Sequence, residues 1–267
     1  MYYILTTLHH LTNKGDNNIN QGFILLIKMC RMLIAIGSIN VNQLIDGILL
    51  MAKDQNSSHE HNQKKLGRWK HEDGWGAAYL ENDNWKIVKS TKSIAKDLEL
   101  EKLRTVKTNL LLIHARKKTK GSRTINECHP FLNKERKLIF SHNGTINGKI
   151  PYNQIFKPKG TTDSERLFFN ILTSLKKDNF KIVTPKINSL NIPSGTNLFL
   201  SSPKTSIIGI NYKKYPKYYR MALLKSNDSV IVSSEKLSNI KKRWKLLDHG
   251  NLIKIDHKTL RITELND

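Results

Sequence analysis

The chain has 267 residues, 38% of them hydrophobic, enough to bury one large core or two small ones. Lysine and arginine number 45 against 22 acids, a formal net charge of +23, which raises nucleic acid, an anionic membrane surface or an acidic partner. The lysines are scattered along the whole chain, and net charge bears on solubility and encounter rather than chemistry, so a solvated basic surface is the preferred reading.

Positions 1–28 differ from the rest: a Tyr/Leu/His-rich opening, an Asn-rich stretch over 13–21 and a short apolar run over 23–27. That run and the next, over 32–36, are far too short to span a bilayer, and no secretory signal is laid out in order, so a soluble, cytoplasmic protein is expected. Cys30 and Cys128 have no paired spacing for a zinc site or a disulfide, which fits a reducing compartment. A buried strand is predicted at 32–36, then an amphipathic helix over 41–53 with Val41, Leu44, Ile45, Ile48, Leu49 and Ala52 on one face. A charged, His-containing loop covers 54–70. Strands follow at 75–80, 85–89, 110–115 and 137–141. A second helix over 162–177 opens with Thr162 and Glu165 at capping-box spacing. Further strands fall at 198–202, 206–211, 221–225, 230–233 and 252–256. Many strands with two or three helices suggest an α+β layered domain.

Several short segments carry potential chemistry, and each has a plain structural reading. Cys30 enters an apolar strand, where cysteine is commonly an inert core residue. Arg116 ends a run of Leu and Ile, where a strand meets water. Asn143-Gly144 is a strong turn signal. Asp163 opens a helix, where an acid suits the dipole. His59 and His61 lack further ligands at useful spacing, so no metal site is expected. The stretch 211–221 sets Lys213, Lys214, Lys217 and Arg220 among four tyrosines. It reads either as a single-strand nucleic-acid surface or, preferably, as an edge strand protected by lysines.

Taken together, Met29-Cys30-Arg31, His71–Gly76 (HEDGWG), His114-Ala115-Arg116 with Cys128–Phe131 (CHPF), Ser141–Thr145 (SHNGT) and Thr161–Glu165 (TTDSE) stand in one order and spacing. They resemble the class II glutamine amidotransferases, N-terminal-nucleophile (Ntn) hydrolases, and within them the small stand-alone branch beginning Met-Cys-Arg. The resemblance spans 29 to about 175, with a weaker echo at Ser233–Leu237 and Trp244. It implies a four-layer αββα sandwich over 30–267, preceded by a 1–29 extension that is either a mis-set start or a removed propeptide. It also implies Cys30 as nucleophile, activated by its own α-amine once that is freed. A free α-amine has a pKa of about 7.7–8.0 and can take the thiol proton, whereas an amide cannot. Asn143 and Gly144 would hold the oxyanion, Arg116 the glutamine α-carboxylate and Asp163 its α-ammonium, while His129 would line the pocket. The HEDGWG loop is expected as pocket wall with no chemical step. No metal or organic cofactor is implied. Three activities stay open: a glutaminase releasing ammonia and glutamate through a Cys30 thioester, feeding a separate synthase subunit; an amidohydrolase removing a γ-glutamyl group from another small molecule; or an inactive protein of this fold binding nucleic acid.

Overall fold

A computed structural model describes residues 29–265 apart from 64, 120–121 and 177–178. Of the extension expected over 1–29, positions 1–28 lie outside the described residues. In chain order the strands are β1 (Arg31–Gly37), β2 (Trp75–Glu81), β3 (Asn84–Ser90), β4 (Leu110–Ala115), β5 (Phe131–Asn133), β6 (Leu138–Gly144), β7 (Gly195–Ser201), β8 (Thr205–Tyr212), β9 (Met221–Lys225), β10 (Ser229–Ser233), β11 (Lys245–Leu247), β12 (Leu252–Asp256) and β13 (Ile262–Glu264). The helices are α1 (Val41–Ala52), α2 (Glu99–Leu103), α3 (Asp163–Ser174), α4 (Val183–Asn188) and α5 (Pro216–Tyr219).

These strands form two antiparallel sheets, ordered β11-β9-β10-β1-β4-β2-β3 and β13-β12-β8-β7-β6-β5. Successive residues of a strand face opposite sides of its sheet. In β1, Leu33 and Ala35 therefore join a cluster with Leu44, Ile45 and Ile48 of α1, while Met32, Ile34 and Ile36 join the opposite one. That second cluster takes Ile139, Phe199, Ile208 and Ile253 from the other sheet, so the two sheets pack face to face. The outer face of the six-stranded sheet, with Phe140, Leu198 and Leu200, is covered by Leu167, Phe168, Ile171 and Leu172 of α3 and by Val183 and Ile187 of α4. Three apolar interlayers separate four layers, so the expected αββα sandwich of the α+β class is the architecture observed.

Local chemistry explains the two long helices. Asn40 caps α1 by accepting the Gln43 N–H at 3.0 Å. Thr162 caps α3 by accepting the Glu165 N–H at 3.3 Å. Glu165 does not reach back to the cap residue. Its carboxylate instead accepts the Lys159 and Gly160 N–H groups at 2.8–3.1 Å and fixes the loop before the helix. The unpredicted strands β5, β11 and β13 are each three residues long and give too few alternations for a pattern to show.

Ile34 is fully buried between the sheets. Ile34→Ala is expected to lower stability by about 2–5 kcal/mol in urea denaturation, the range for a large-to-small change in a packed core; a loss below about 1 kcal/mol would contradict a closed middle layer.

Candidate active site

Register places the predicted residues at one end of the sandwich. In the seven-stranded sheet Arg31 pairs with Ala115, and Ala115 pairs with Trp75. Cys30 before β1, Arg116 after β4 and Gly74 before β2 therefore share one sheet edge. Asn143 and Gly144, paired with Asn197 and Thr196, end β6 in the other sheet. The Cys30 N–H donates to Asn143 Oδ1 at 2.8 Å and joins the two sheets at this end. Here the turn reading of Asn143-Gly144 is corrected: β6 runs on through both residues. An added Cβ on Gly144 would stand 2.4 Å from the Gly195 carbonyl oxygen, so this glycine is required by close packing rather than by a turn.

Asn143 is fully buried, and with its oxygen committed to Cys30 its Nδ2 has no protein acceptor. A buried donor left this way costs roughly 1–3 kcal/mol. The Cys30 side chain is half-buried, with the Lys117 N–H 3.4 Å from Sγ and Sγ 3.8 Å from the Lys117 carbonyl oxygen. Burial pushes its thiol up to about 11, against the lowering effects of the Lys117 backbone and Arg116 and with further raising by Asp163 and Asp73. Arg116 and Asp163, predicted from well-separated segments, thus both act on this sulfur.

Arg116 is buried; its Nη1 donates to the Ser122 carbonyl at 3.0 Å, and its Nη2 lies 4.0 Å from Glu127 Oε2. The other Glu127 oxygen accepts the Thr161 N–H and hydroxyl at 2.7 and 2.9 Å, linking this segment to the loop before α3. At the start of α3, Asp163 accepts the Ile146 N–H at 2.6 Å. It also lines a cavity of about 750 Å³ together with Thr161, Ile146, Pro151, Tyr152 and Arg166. Cys30 is not among the residues lining that cavity. His129 is buried, 4.2 Å from the His114 ring between centroids, and neither of its nitrogens has a protein partner. Burial holds it neutral, well below the usual histidine range.

The HEDGWG loop organises the site from below. Asp73 accepts the Lys118 N–H at 2.9 Å and pairs with Arg123, holding the segment that covers the thiol. Gly74 has φ +111°, and a Cβ there would lie 2.8 Å from Cys128 Sγ. His71 is buried and neutral, with Nε2 3.1 Å from the Tyr218 hydroxyl.

Sequence reasoning missed the aromatic wall. The stretch 211–221 is not an edge strand: it leaves β8, turns through α5 and enters β9. Tyr218 and Tyr219 are fully buried on α5, packed with Met29 and Trp69. Tyr218 donates its hydroxyl to the carbonyls of Met29 at 2.7 Å and Cys30 at 3.1 Å. Arg31 is also buried, with its guanidinium 3.7 Å above the Tyr218 ring and Nη2 2.5 Å from Glu235 Oε1. The Ser233–Leu237 echo acquires a cause here. Ser234 accepts the Met32 N–H at 3.0 Å and Glu235 neutralises Arg31, so both residues hold the strand that carries Cys30. A Tyr-Tyr pair in a lysine-rich stretch gives no periodic signal. The Pro216 start was the available hint of a short helix.

His59 is committed to Asp54 at 3.2 Å and His61 stacks on Trp69 at 4.5 Å. No cluster of three or more metal-ligating side chains occurs among the described residues, and none of their helices is long and apolar enough to cross a membrane.

With Met29 attached, the Cys30 thiol should behave as a buried, uncharged group. Its alkylation rate, followed by peptide mass spectrometry, should rise about tenfold per pH unit from about pH 7 to 9.5, because burial raises the thiol and the thiolate fraction stays small. A plateau by about pH 9 would contradict that environment.

Comparison with known proteins is consistent with this geometry. Residues 29–192, well over half of the chain, match the family of class II glutamine amidotransferases. An uncharacterized protein of Methanocaldococcus jannaschii is 31% identical over 115 residues, covering 40% of this chain and 32% of that protein's length. The glutamine phosphoribosylpyrophosphate amidotransferase of B. subtilis superposes with a TM-score of 0.61 at 14% identity, over 89% of this chain and 49% of that one. A glutamine aminotransferase class-II domain protein of Silicibacter pomeroyi gives a TM-score of 0.60 at 18% identity, over 89% of this chain and 100% of that one. The chain therefore spans about a third of the curated relative and half of the B. subtilis enzyme, and these structural likenesses bear on the Ntn-hydrolase fold alone. On the family match, this chain belongs to the class II glutamine amidotransferases.

Proposed function

We propose that the protein hydrolyses the side-chain amide of glutamine, or of a γ-glutamyl amide, through a thioester on Cys30. The observation that carries this reading is the 2.8 Å bond from Cys30 N to Asn143 Oδ1. It sets the nitrogen that would act as base beside the amide that would stabilise the oxyanion. In the working form residues 1–29 are absent, either because Met29 is the true start and is trimmed or because the segment is removed after folding. The working domain is then 30–267, of the stand-alone type beginning Met-Cys-Arg.

The freed amine donates one hydrogen to Asn143 Oδ1 and keeps its lone pair for the thiol proton. A base is needed because burial raises the thiol, so little of it is ionised at neutral pH. Sulfur attacks the substrate δ-carbonyl. Asn143 Nδ2, the buried donor without an acceptor, and the Gly144 N–H receive the oxyanion. The amine passes the proton to the departing nitrogen, the C–N bond breaks, and ammonia or an amine leaves. Water then releases glutamate from the thioester, with the amine again as base. Arg116 takes the α-carboxylate in the bidentate manner of a guanidinium, at the cost of its present carbonyl contacts. Asp163 takes the α-ammonium, and neutral His129 lines the pocket. Ammonia goes to a separate synthase subunit or to solvent.

The test is a chain expressed from Met29, with Cys30 verified as first residue by mass spectrometry, assayed for glutamate release. Cys30→Ala should abolish release while leaving glutamine binding intact. Asn143→Ala should cut kcat by about 10²–10³ with a smaller change in KM, the effect of losing one oxyanion donor. Release from Cys30→Ala at the parent rate would end the reading.

A further inference from the structure

The side chain immediately before the nucleophile is not in solvent. Met29 is 1% exposed and packs with Trp69, Tyr218 and Tyr219, while Tyr212 and Tyr215 close the cluster from outside. Its carbonyl is held by the Tyr218 hydroxyl at 2.7 Å. His61 stacks on the outer side of Trp69 at 4.5 Å, and the Lys117 ammonium stands 4.6 Å from the same ring.

The next step rests on the reading above, in which Met29 is removed and the Cys30 amine protonates the departing nitrogen. A general acid must approach the atom it protonates to about 2.6–3.2 Å. The amide nitrogen of the substrate must therefore come within hydrogen-bond distance of Cys30 N, the atom to which Met29 is now joined. Whatever is carried on that substrate nitrogen then points into the space the Met29 side chain fills in this structure.

We infer that the Trp69–Tyr218–Tyr219 cluster is the leaving-group pocket of the enzyme, and that the substrate is a γ-glutamyl amide of an apolar, aromatic or thioether-bearing amine. Glutamine carries only hydrogen on that nitrogen and leaves the pocket empty. Three buried aromatic rings facing two hydrogens contribute nothing to its turnover, whereas an apolar substituent of methionine size removes that surface from water. A cationic substituent is disfavoured, because Arg31 lies 3.7 Å from the Tyr218 ring and Lys117 4.6 Å from Trp69. The reaction balances without a further reagent. The thiol adds to the γ-carbonyl, the C–N bond breaks, the thiol proton leaves on the amine, and water cleaves the thioester to glutamate and regenerates the thiol.

The experiment uses the Cys30-initiated chain and measures glutamate release from L-glutamine, L-γ-glutamyl methylamide and L-γ-glutamyl benzylamide. Benzylamine is the less basic leaving amine of the two, so a benzylamide preference counts for the pocket only where Trp69→Ala erases it. The benzylamide should exceed the methylamide in kcat/KM by at least about tenfold, the scale of discrimination that an apolar pocket supplies. Trp69→Ala should erase that preference, and Trp69→Phe should keep most of it. Because the parent chain already compares the two amides, the inference can fail even if Trp69→Ala does not fold. Release from glutamine alone, or equal rates for the two amides, overturns the pocket and leaves the glutaminase reading standing. A preference that Trp69→Ala leaves unmoved also overturns it. Release from none of the three overturns the reading and the pocket together.

Discussion

The hydrogen bond between Cys30 N and Asn143 Oδ1 is the constraint on which the rest of the site depends. Its two ends belong to different sheets, so it can form only if the sheets pack face to face in one alignment. Alternation in β1 and β6 supplies that alignment. Met32, Ile34 and Ile139 turn inward to a shared layer while Leu33 and Phe140 turn outward to the helices. A shift of one residue in either strand would exchange these faces and break the bond. The geometry at Cys30 is thus a by-product of core packing, and the sandwich is the device that brings a backbone nitrogen to an asparagine 113 residues away.

Electrostatics at the sulfur follow from the same arrangement. Desolvation raises the thiol further above neutral pH, and the charges around it partly oppose one another, Arg116 against Asp163 and Asp73. Glu127 faces Arg116 from within the protein and also holds Thr161. Arg116 and Asp163 are therefore tied through Glu127 and the loop before α3, although 47 positions separate them in sequence.

Much of this was legible in the sequence, for physical reasons that differ by element. The strands over 75–81 and 110–115 and the helix at 163–174 announce themselves by periodicity and capping; the strand bounds agree within a residue, while the helix ends three residues before the expected 177. The clustering of Cys30, Arg116, Asn143 and Asp163 was legible only through motif resemblance, since no local pattern reveals which strand ends meet. Asn143-Gly144 misled because a strong turn pair was outweighed by strand pairing with Asn197 and Thr196. Tyr218 and Tyr219 were invisible because burial of adjacent residues on one turn of helix has no period, and the lysines around them suggested a surface. Arg31 looked like part of a motif. Its burial required a carboxylate from position 235, and removing such a partner leaves an uncompensated charge that costs about 3–5 kcal/mol.

That distant carboxylate has a consequence for how the molecule is made. The strand that follows Cys30 lies between β4 and β10 in the sheet, so during synthesis one of its flanks has no neighbour until about residue 233 has left the ribosome. Until then Arg31 has no counter-charge and the strand offers an open row of amides along that side. Strand β1 is thus translated well before the strand that secures its flank, and the end of the sandwich that holds Cys30 is completed only after β10 has emerged.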